Sequence, residues 1–254
     1  MLLLLRLALV PLLVAAVTLV VRRWGTRAAA FVAALPAVAG PTLGFYAVQQ
    51  GHVFAAHAAE GALLGLVGVA AFCAAYGSSS LRLRWPLCLL IGWMAFGLVT
   101  MLTLGVHAGA GVGLVVAIAS LLIVRRVLPQ PGLAQQSRPA PAWDLPARMI
   151  AAATLVFVLT SMAERLGPAL SGLLTPFPVA TAIIAGFMHA QEGSGAVLRF
   201  LRGYMPGLCS FAVFCFVFAL TVPTRSLVTA VAAALAAQLV AQVILMRVVK
   251  AMGD

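Results

Sequence analysis

Residues 28–49 read AAAFVAALPAVAGPTLGFYAVQ, and the prolines at 36 and 41 decide how the chain is built. The stretch is apolar and long enough to cross a bilayer, which takes about 20 such residues. Yet a proline removes a backbone donor and clashes with the carbonyl one turn back, so two so close together kink or unwind a membrane helix. Freed carbonyl and amide groups at membrane depth are tolerated where they line a cavity or are buried in protein. The expectation is a broken helix with its break at Ala34-Leu35-Pro36-Ala37-Val38-Ala39-Gly40-Pro41-Thr42.

A second such segment follows at Leu174-Thr175-Pro176-Phe177-Pro178-Val179-Ala180-Thr181. The two are related by an ungapped shift of 142 residues, which pairs Arg6 with Arg148, Arg23 with Arg165, Gly25 with Gly167 and Pro36 with Pro178. The same shift pairs Gly44-Phe45 with Gly186-Phe187, Gln49 with Gln191, Gly51 with Gly193, and Phe72-Cys73 with Phe214-Cys215. Chance matches in this chain would fall on Ala, Leu and Val. These fall mostly on Gly, Pro, Arg and Gln, and so indicate an internal duplication.

Composition sets the medium. Of 254 residues 64% are hydrophobic and 8% charged, against about 45–50% and about 25% in soluble domains. The expectation is an all-α, polytopic membrane protein, with spans near 3–21, 28–49, 55–77, 86–105, 109–124, 147–163, 168–190, 198–221 and 227–247. The opening stretch is read as the first span, because its arginines (Arg22, Arg23, Arg27) follow the apolar run and no small-residue cleavage site precedes a soluble domain. Sixteen Lys or Arg against five Asp or Glu would suggest nucleic acid in a soluble protein. Here, nine spans gather nearly all of them on one side, which predicts an outside amino terminus and a cytoplasmic carboxyl terminus. No nucleic-acid partner follows; the lipid bilayer is the partner implied.

The domain reading is a first repeat with an extra helix over 1–128, a Pro-rich cytoplasmic linker over 129–146, and a second repeat over 147–254. An odd number of spans between the copies inverts the second. Inverted repeats with paired broken helices recur in secondary transporters, where the substrate lies between the halves near the midplane. That reading places a small-molecule site at Pro36, Gly40, Pro41 and Thr42 of one copy and Thr175, Pro176, Phe177, Pro178 and Thr181 of the other. The threonines would donate hydroxyls and Phe177 would form an apolar wall; ordinary kinks with hydroxyls bonded back to their own helix are the alternative. With no charge expected at the midplane, a neutral or amphipathic solute is favoured.

Several other groups carry less. His189 and Glu192 are three apart and would share a helical face, the geometry of a proton relay, although their place at an expected cytoplasmic end favours a solvated helix terminus instead. His52, His57, Glu60 and His107 have the residue types of a metal site without its compact spacing. Gly61/Gly65 and Gly203/Gly207 have the spacing of close helix contacts, as do Gly40/Gly44 and Gly109/Gly113. Gln238 and Gln242, four apart, should hydrogen-bond to a neighbouring helix or line a pathway. Cys73, Cys88, Cys209 and Cys215 lie in apolar runs and read as small buried hydrophobes. No HExxH, GxSxG, GxxxxGK[ST] or GxGxxG motif stands in a usable context, so neither catalysis, cofactor nor resident metal is expected.

Arg22-Arg23-Trp24-Gly25, Leu35-Pro36-Ala37-Val38-Ala39-Gly40-Pro41 and Ser171-Gly172-Leu173-Leu174, with Phe177-Pro178-Val179, resemble a family of small bacterial inner-membrane proteins. The likeness covers most of the chain, and each half is weakly similar to the shorter GlpM-type membrane proteins. The resemblance implies the bacterial cytoplasmic membrane and brings no substrate or reaction with it. Two functions of different class remain: a secondary transporter working by alternating access, and a non-transporting scaffold or regulatory subunit of an envelope complex. A homo-oligomer is compatible with either.

Overall fold

A computed structural model of the chain describes residues 2–103, 105–106, 108–131, 141, 143–166 and 178–251. Every regular element among them is an α-helix: α1 (Leu2–Ala33), α2 (Ala39–Gln50), α3 (His52–Ser79), α4 (Trp85–Thr103), α5 (Ala110–Val127), α6 (Asp144–Leu166), α7 (Val179–Glu192), α8 (Ser194–Thr221) and α9 (Leu227–Ala251). Six stretches are long and apolar enough to cross a membrane: Ala8–Gly25 within α1, then α3, α4, α5, α8, and Leu227–Val248 within α9. Their outward faces are apolar as well. Leu90, Met94, Leu98 and Met101 form an exposed stripe along α4, as do Leu235, Leu239 and Val243 along α9, a pattern that makes sense against lipid and not against water. The chain is a multi-pass helical membrane protein.

Nine full-length helical spans are not what the described residues form. The expected span at 28–49 is divided: helix ends at Ala33, residues 34–38 are irregular, and α2 resumes for 12 residues. That is about 18 Å of helix, short of the roughly 30 Å hydrocarbon core. The cause is the one expected, since Pro36 has no N–H to give. α1 is itself interrupted in the gap between the spans expected at 3–21 and 28–49: Gly25 takes φ 83°, ψ 174°, so α1 is two rods in sequence. Of the span expected at 168–190, residues 167–177 lie outside the described residues, with Thr175, Pro176 and Phe177 among them. The expected linker also ends early, because α6 starts at Asp144.

Helices from along the whole chain share one core, to which α1, α3, α5 and α8 all contribute. The long helices α3 and α8 lie against each other at its centre. Each then takes the following helix, α4 on α3 and α9 on α8, and each carries the preceding short helix, α2 on α3 and α7 on α8. The short helices cross over, α7 against α4 and α2 against α9, while α5 covers the α3–α8 pair. Helix boundaries follow the same correspondence: α3 and α8 start at 52 and 194 and end at 79 and 221, and α4 and α9 start at 85 and 227. A single glycine joins the short helix to the long one in each half. Gly51 (φ 90°, ψ 165°) and Gly193 (φ 81°, ψ −178°) share a conformation open essentially to glycine alone.

Small residues set the helix spacing, though only partly those expected. A Cβ on Gly68 would lie 3.1 Å from the Phe96 ring and Thr100, and one on Gly92 would lie 2.8 Å from the Phe72 ring. The α3–α4 contact is therefore made at these glycines. Of the GxxxG pairs, Gly65 and Gly207 are buried and Gly113 fits against Leu63, but Gly61, Gly44 and Gly109 have nothing within 4 Å of a Cβ. Spacing alone does not say which face of a lipid-bathed helix meets protein. The four cysteines are free and buried, as their apolar context required.

Candidate functional site

The break in the first half is built from the residues that caused it. Leu35 N–H donates to Val32 O at 3.2 Å, and Gly40 N–H donates to Pro36 O at 2.8 Å, so the chain re-enters helix immediately beyond the proline. Between these two turns the Ala34 carbonyl loses its helical donor. It is met from α9, where Gln238 Nε2 donates to Ala34 O at 3.3 Å. Gln238 is 1% exposed, and its Oε1 has no hydrogen-bond partner among the described residues. The amide cannot be reversed without setting two oxygens against each other. An acceptor is thus held ready at the break, and an unsatisfied buried acceptor costs about 1–3 kcal/mol.

The other expected residues separate by environment. Pro36 is buried, Pro41 is exposed, and a Cβ on Gly40 would lie 3.5 Å from Pro36 and 3.7 Å from Phe214 of α8. Phe214 belongs to a ladder, stacked at 13° on Phe211 and 14° on Phe218, so Gly40 seats the break against a stiff aromatic column. Thr42 is buried with its hydroxyl donated at 2.8 Å to the carbonyl of Val38, the residue just before its own helix. Thr181 instead reaches across to α8, donating to the Tyr204 hydroxyl at 3.1 Å. Pro178 caps the start of α7, its carbonyl accepting from Ala182 N–H at 2.9 Å.

A second polar centre sits at the opposite end of α7, on residues the sequence reading left in the linker or counted only as charge. Asp144 is fully buried at the start of α6. One carboxylate oxygen accepts from Arg148 Nε at 2.8 Å and from Gln191 Nε2 at 2.5 Å, and the other accepts from Arg22 of α1 at 2.8 Å. Arg148 also donates to Gln191 Oε1 at 3.2 Å, and its guanidinium lies 5.1 Å from the centre of the Phe187 ring. Burial pushes the Asp144 carboxyl up, but hydrogen bonds from Arg148, Gln191 and Arg22 outweigh it and hold its pKa below the usual value. The cluster ties α1, α6 and α7 together. Its one advance signal was that the expected 142-residue shift pairs Arg6 with Arg148 and Gln49 with Gln191; the acid that organises it falls opposite Leu2 at that shift and so carried none.

One turn away His189 meets α3. The Tyr76 hydroxyl, within hydrogen-bonding distance of Ala185 O at 3.2 Å, lies 3.3 Å from His189 Nδ1. His189 is half-buried beside this tyrosine rather than lying free at a solvated end. Glu60, considered with His52 and His57, accepts from Ala110 N–H at 3.2 Å and caps the start of α5; His107 lies outside the described residues. Among the described residues no group of three His, Cys, Asp or Glu side chains is placed to hold a metal. No protein-family model, curated protein or solved structure matches the chain.

Proposed function

We propose that the chain is a secondary transporter of a small neutral or amphipathic solute, built as two inverted halves in a bacterial inner membrane and working by alternating access. In this reading residues 26–33, the break and α2 form one interrupted crossing, whose 20 helical residues amount to about 30 Å. The odd number of crossings that results in the first half inverts the second, leaving the amino terminus outside and the carboxyl terminus in the cytoplasm. Support comes from the helix boundaries that recur 142 residues apart and from Gly51 and Gly193 at equivalent junctions.

The observation that carries the proposal is the break itself, with the buried Gln238 amide on its freed carbonyl and an acceptor left over. Interrupted helices at membrane depth are where transporters present backbone and amide groups to solutes. The polar groups at this break are carbonyl, amide and hydroxyl, which suits a neutral solute bearing a hydrogen-bond donor. Stopped-flow light scattering on proteoliposomes, challenged with a panel of polyols and short amides, tests it. Solute flux above that of protein-free liposomes, lost in Gln238→Leu, is expected.

The scaffold reading keeps one specific support: both threonine hydroxyls are engaged within the protein, and Gly40 is packed on Phe214. It requires a permanently closed centre. Flux no greater than in empty liposomes, with cysteines at positions 42 and 238 protected from both sides under all conditions, would decide for it.

A further inference from the structure

We propose that the basic end of α1 and the start of α6 form a binding site for the headgroup of an anionic phospholipid. Arg22, Arg23 and Trp24 close the apolar stretch Ala8–Gly25, and Gly25 with φ +83° turns the chain away directly behind them. The Arg23 guanidinium lies 5.5 Å from the centre of the Trp24 ring, which is 66% exposed. Trp143, 60% exposed, is brought to the same end because its neighbour Asp144 binds Arg22. Two exposed indoles beside guanidinium groups at the rim of apolar helices match the headgroup level of a bilayer, where tryptophan rings are both apolar and hydrogen-bonding.

The charge on this rim is positive despite the acid. Asp144 is hidden, its side chain 1% exposed and both oxygens engaged, whereas the Arg22 side chain is 36% exposed and Arg23 stands free of the helix packing. An approaching phosphate therefore meets guanidinium N–H groups and not the carboxylate. Below the rim, α1 and α6 lie against each other and expose Leu19 and Ile150. That apolar surface fits acyl chains, which an acidic polypeptide or a free phosphate does not have, and it decides for a lipid. Basic pockets between membrane helices bind anionic headgroups by the same combination.

The test uses the full chain in nanodiscs of phosphatidylcholine with and without phosphatidylglycerol, reading retained lipid by native mass spectrometry and the unfolding midpoint by intrinsic fluorescence. Wild type should retain phosphatidylglycerol in preference to phosphatidylcholine and unfold at a higher temperature in its presence. Arg23→Gln should lower retention about fivefold, the worth of one basic residue at an anionic surface, and Trp24→Ala should lower it further. Arg23→Lys should restore part of it, and Arg126→Gln, an exposed arginine at the end of α5, should change nothing. Both Arg23 and Trp24 are exposed, so these variants keep the fold. An equal loss in Arg126→Gln would mean general charge attraction and overturn the site. So would undiminished retention in Arg23→Gln, stabilisation by inorganic phosphate in phosphatidylcholine alone, or Arg23-dependent binding of poly-glutamate with no lipid preference.

Discussion

The two arginines on Asp144 should differ in what their loss costs, and the difference follows from burial. Arg148 is 4% exposed and is held by the carboxylate, by Gln191 and by the Phe187 ring. Replacing it with Met leaves a buried carboxylate short of its strongest partner, a change that costs about 3–5 kcal/mol where no other partner remains. Here Arg22 and Gln191 stay bonded, so the lower limit applies, about 3 kcal/mol. Arg22 is one third exposed, and water replaces most of what it loses; Arg22→Met should cost about 1 kcal/mol. The gap of about 2 kcal/mol is roughly a thirtyfold difference in unfolding equilibrium. Equilibrium unfolding in mixed detergent micelles, followed by far-ultraviolet circular dichroism, resolves it. A double-mutant cycle with Asp144→Asn should find the Arg148 coupling larger than the Arg22 coupling. Equal losses for the two arginines, or no coupling to Asp144, would refute the account of a buried network closed by Arg148.

Because the Asp144 pKa is lowered in the folded state, its contribution is fully present above the unfolded carboxyl pKa of about 3.9 and is lost as pH falls through the lower folded value. Wild-type stability should therefore show this cluster only as added acid sensitivity below about pH 4, absent from Asp144→Asn, in unfolding titrations from pH 7 downward. Gly51→Ala and Gly193→Ala each force a side chain into a positive-φ junction and should lower stability by about 1–3 kcal/mol, while Gly97→Ala, with open space around its Cβ, should be neutral or slightly stabilising. Gly92→Ala drives a methyl into the Phe72 ring and should cost about 1–3 kcal/mol, measured in the same micelles. Thr181→Val should lose about 1 kcal/mol by removing the donor to Tyr204, whereas Thr42→Val, which removes only a local bond to Val38, should lose less.

What the sequence disclosed was local or periodic. Pro36 stops a helix by its own covalent structure, so the start of the break at residue 34 could be placed, but its far end could not: it was expected to reach Thr42, and helix resumes at Ala39 with Pro41 in its first turn. The apolar runs became helices, and the outward stripes of α4 and α9 show why they carry so few polar residues. What stayed hidden was tertiary. Arg22 and Asp144 are 122 positions apart, and the acid follows a Pro-rich run that reads as linker, so nothing nearby marks it as the centre of an ion cluster. Gly25 was legible in part: the arginines at 22, 23 and 27 mark the gap between two expected spans, and its φ of 83° shows which residue divides α1. Gln238 was legible as interhelical, but its partner was not, because a carbonyl freed at the break in another helix leaves no trace in the sequence of α9.

The Thr181–Tyr204 bond and the Asp144 cluster are mechanically joined through α7. Thr181 near its start is bonded to Tyr204 of α8, and Gln191 near its end is bonded into the Asp144 cluster, with His189 beside Tyr76 of α3. Ten residues separate Thr181 from Gln191, about 15 Å of helix too short to bend. A displacement of α7 that opens the region around Pro178 must therefore also strain the bonds at its other end, unless the helix pivots at Gly193. That glycine is the only residue between α7 and α8, and it takes a backbone conformation in which its ψ can change without a side-chain clash. If the proposed alternating access operates, it would be governed at the Asp144 cluster, some distance from the proposed solute site at the break. In proteoliposomes, Arg148→Met should then alter the rate of solute flux while leaving the order of solute preference unchanged, whereas Gln238→Leu, which strikes the break itself, should abolish flux. Loss of preference in Arg148→Met would show that the two ends of α7 are not separable in this way.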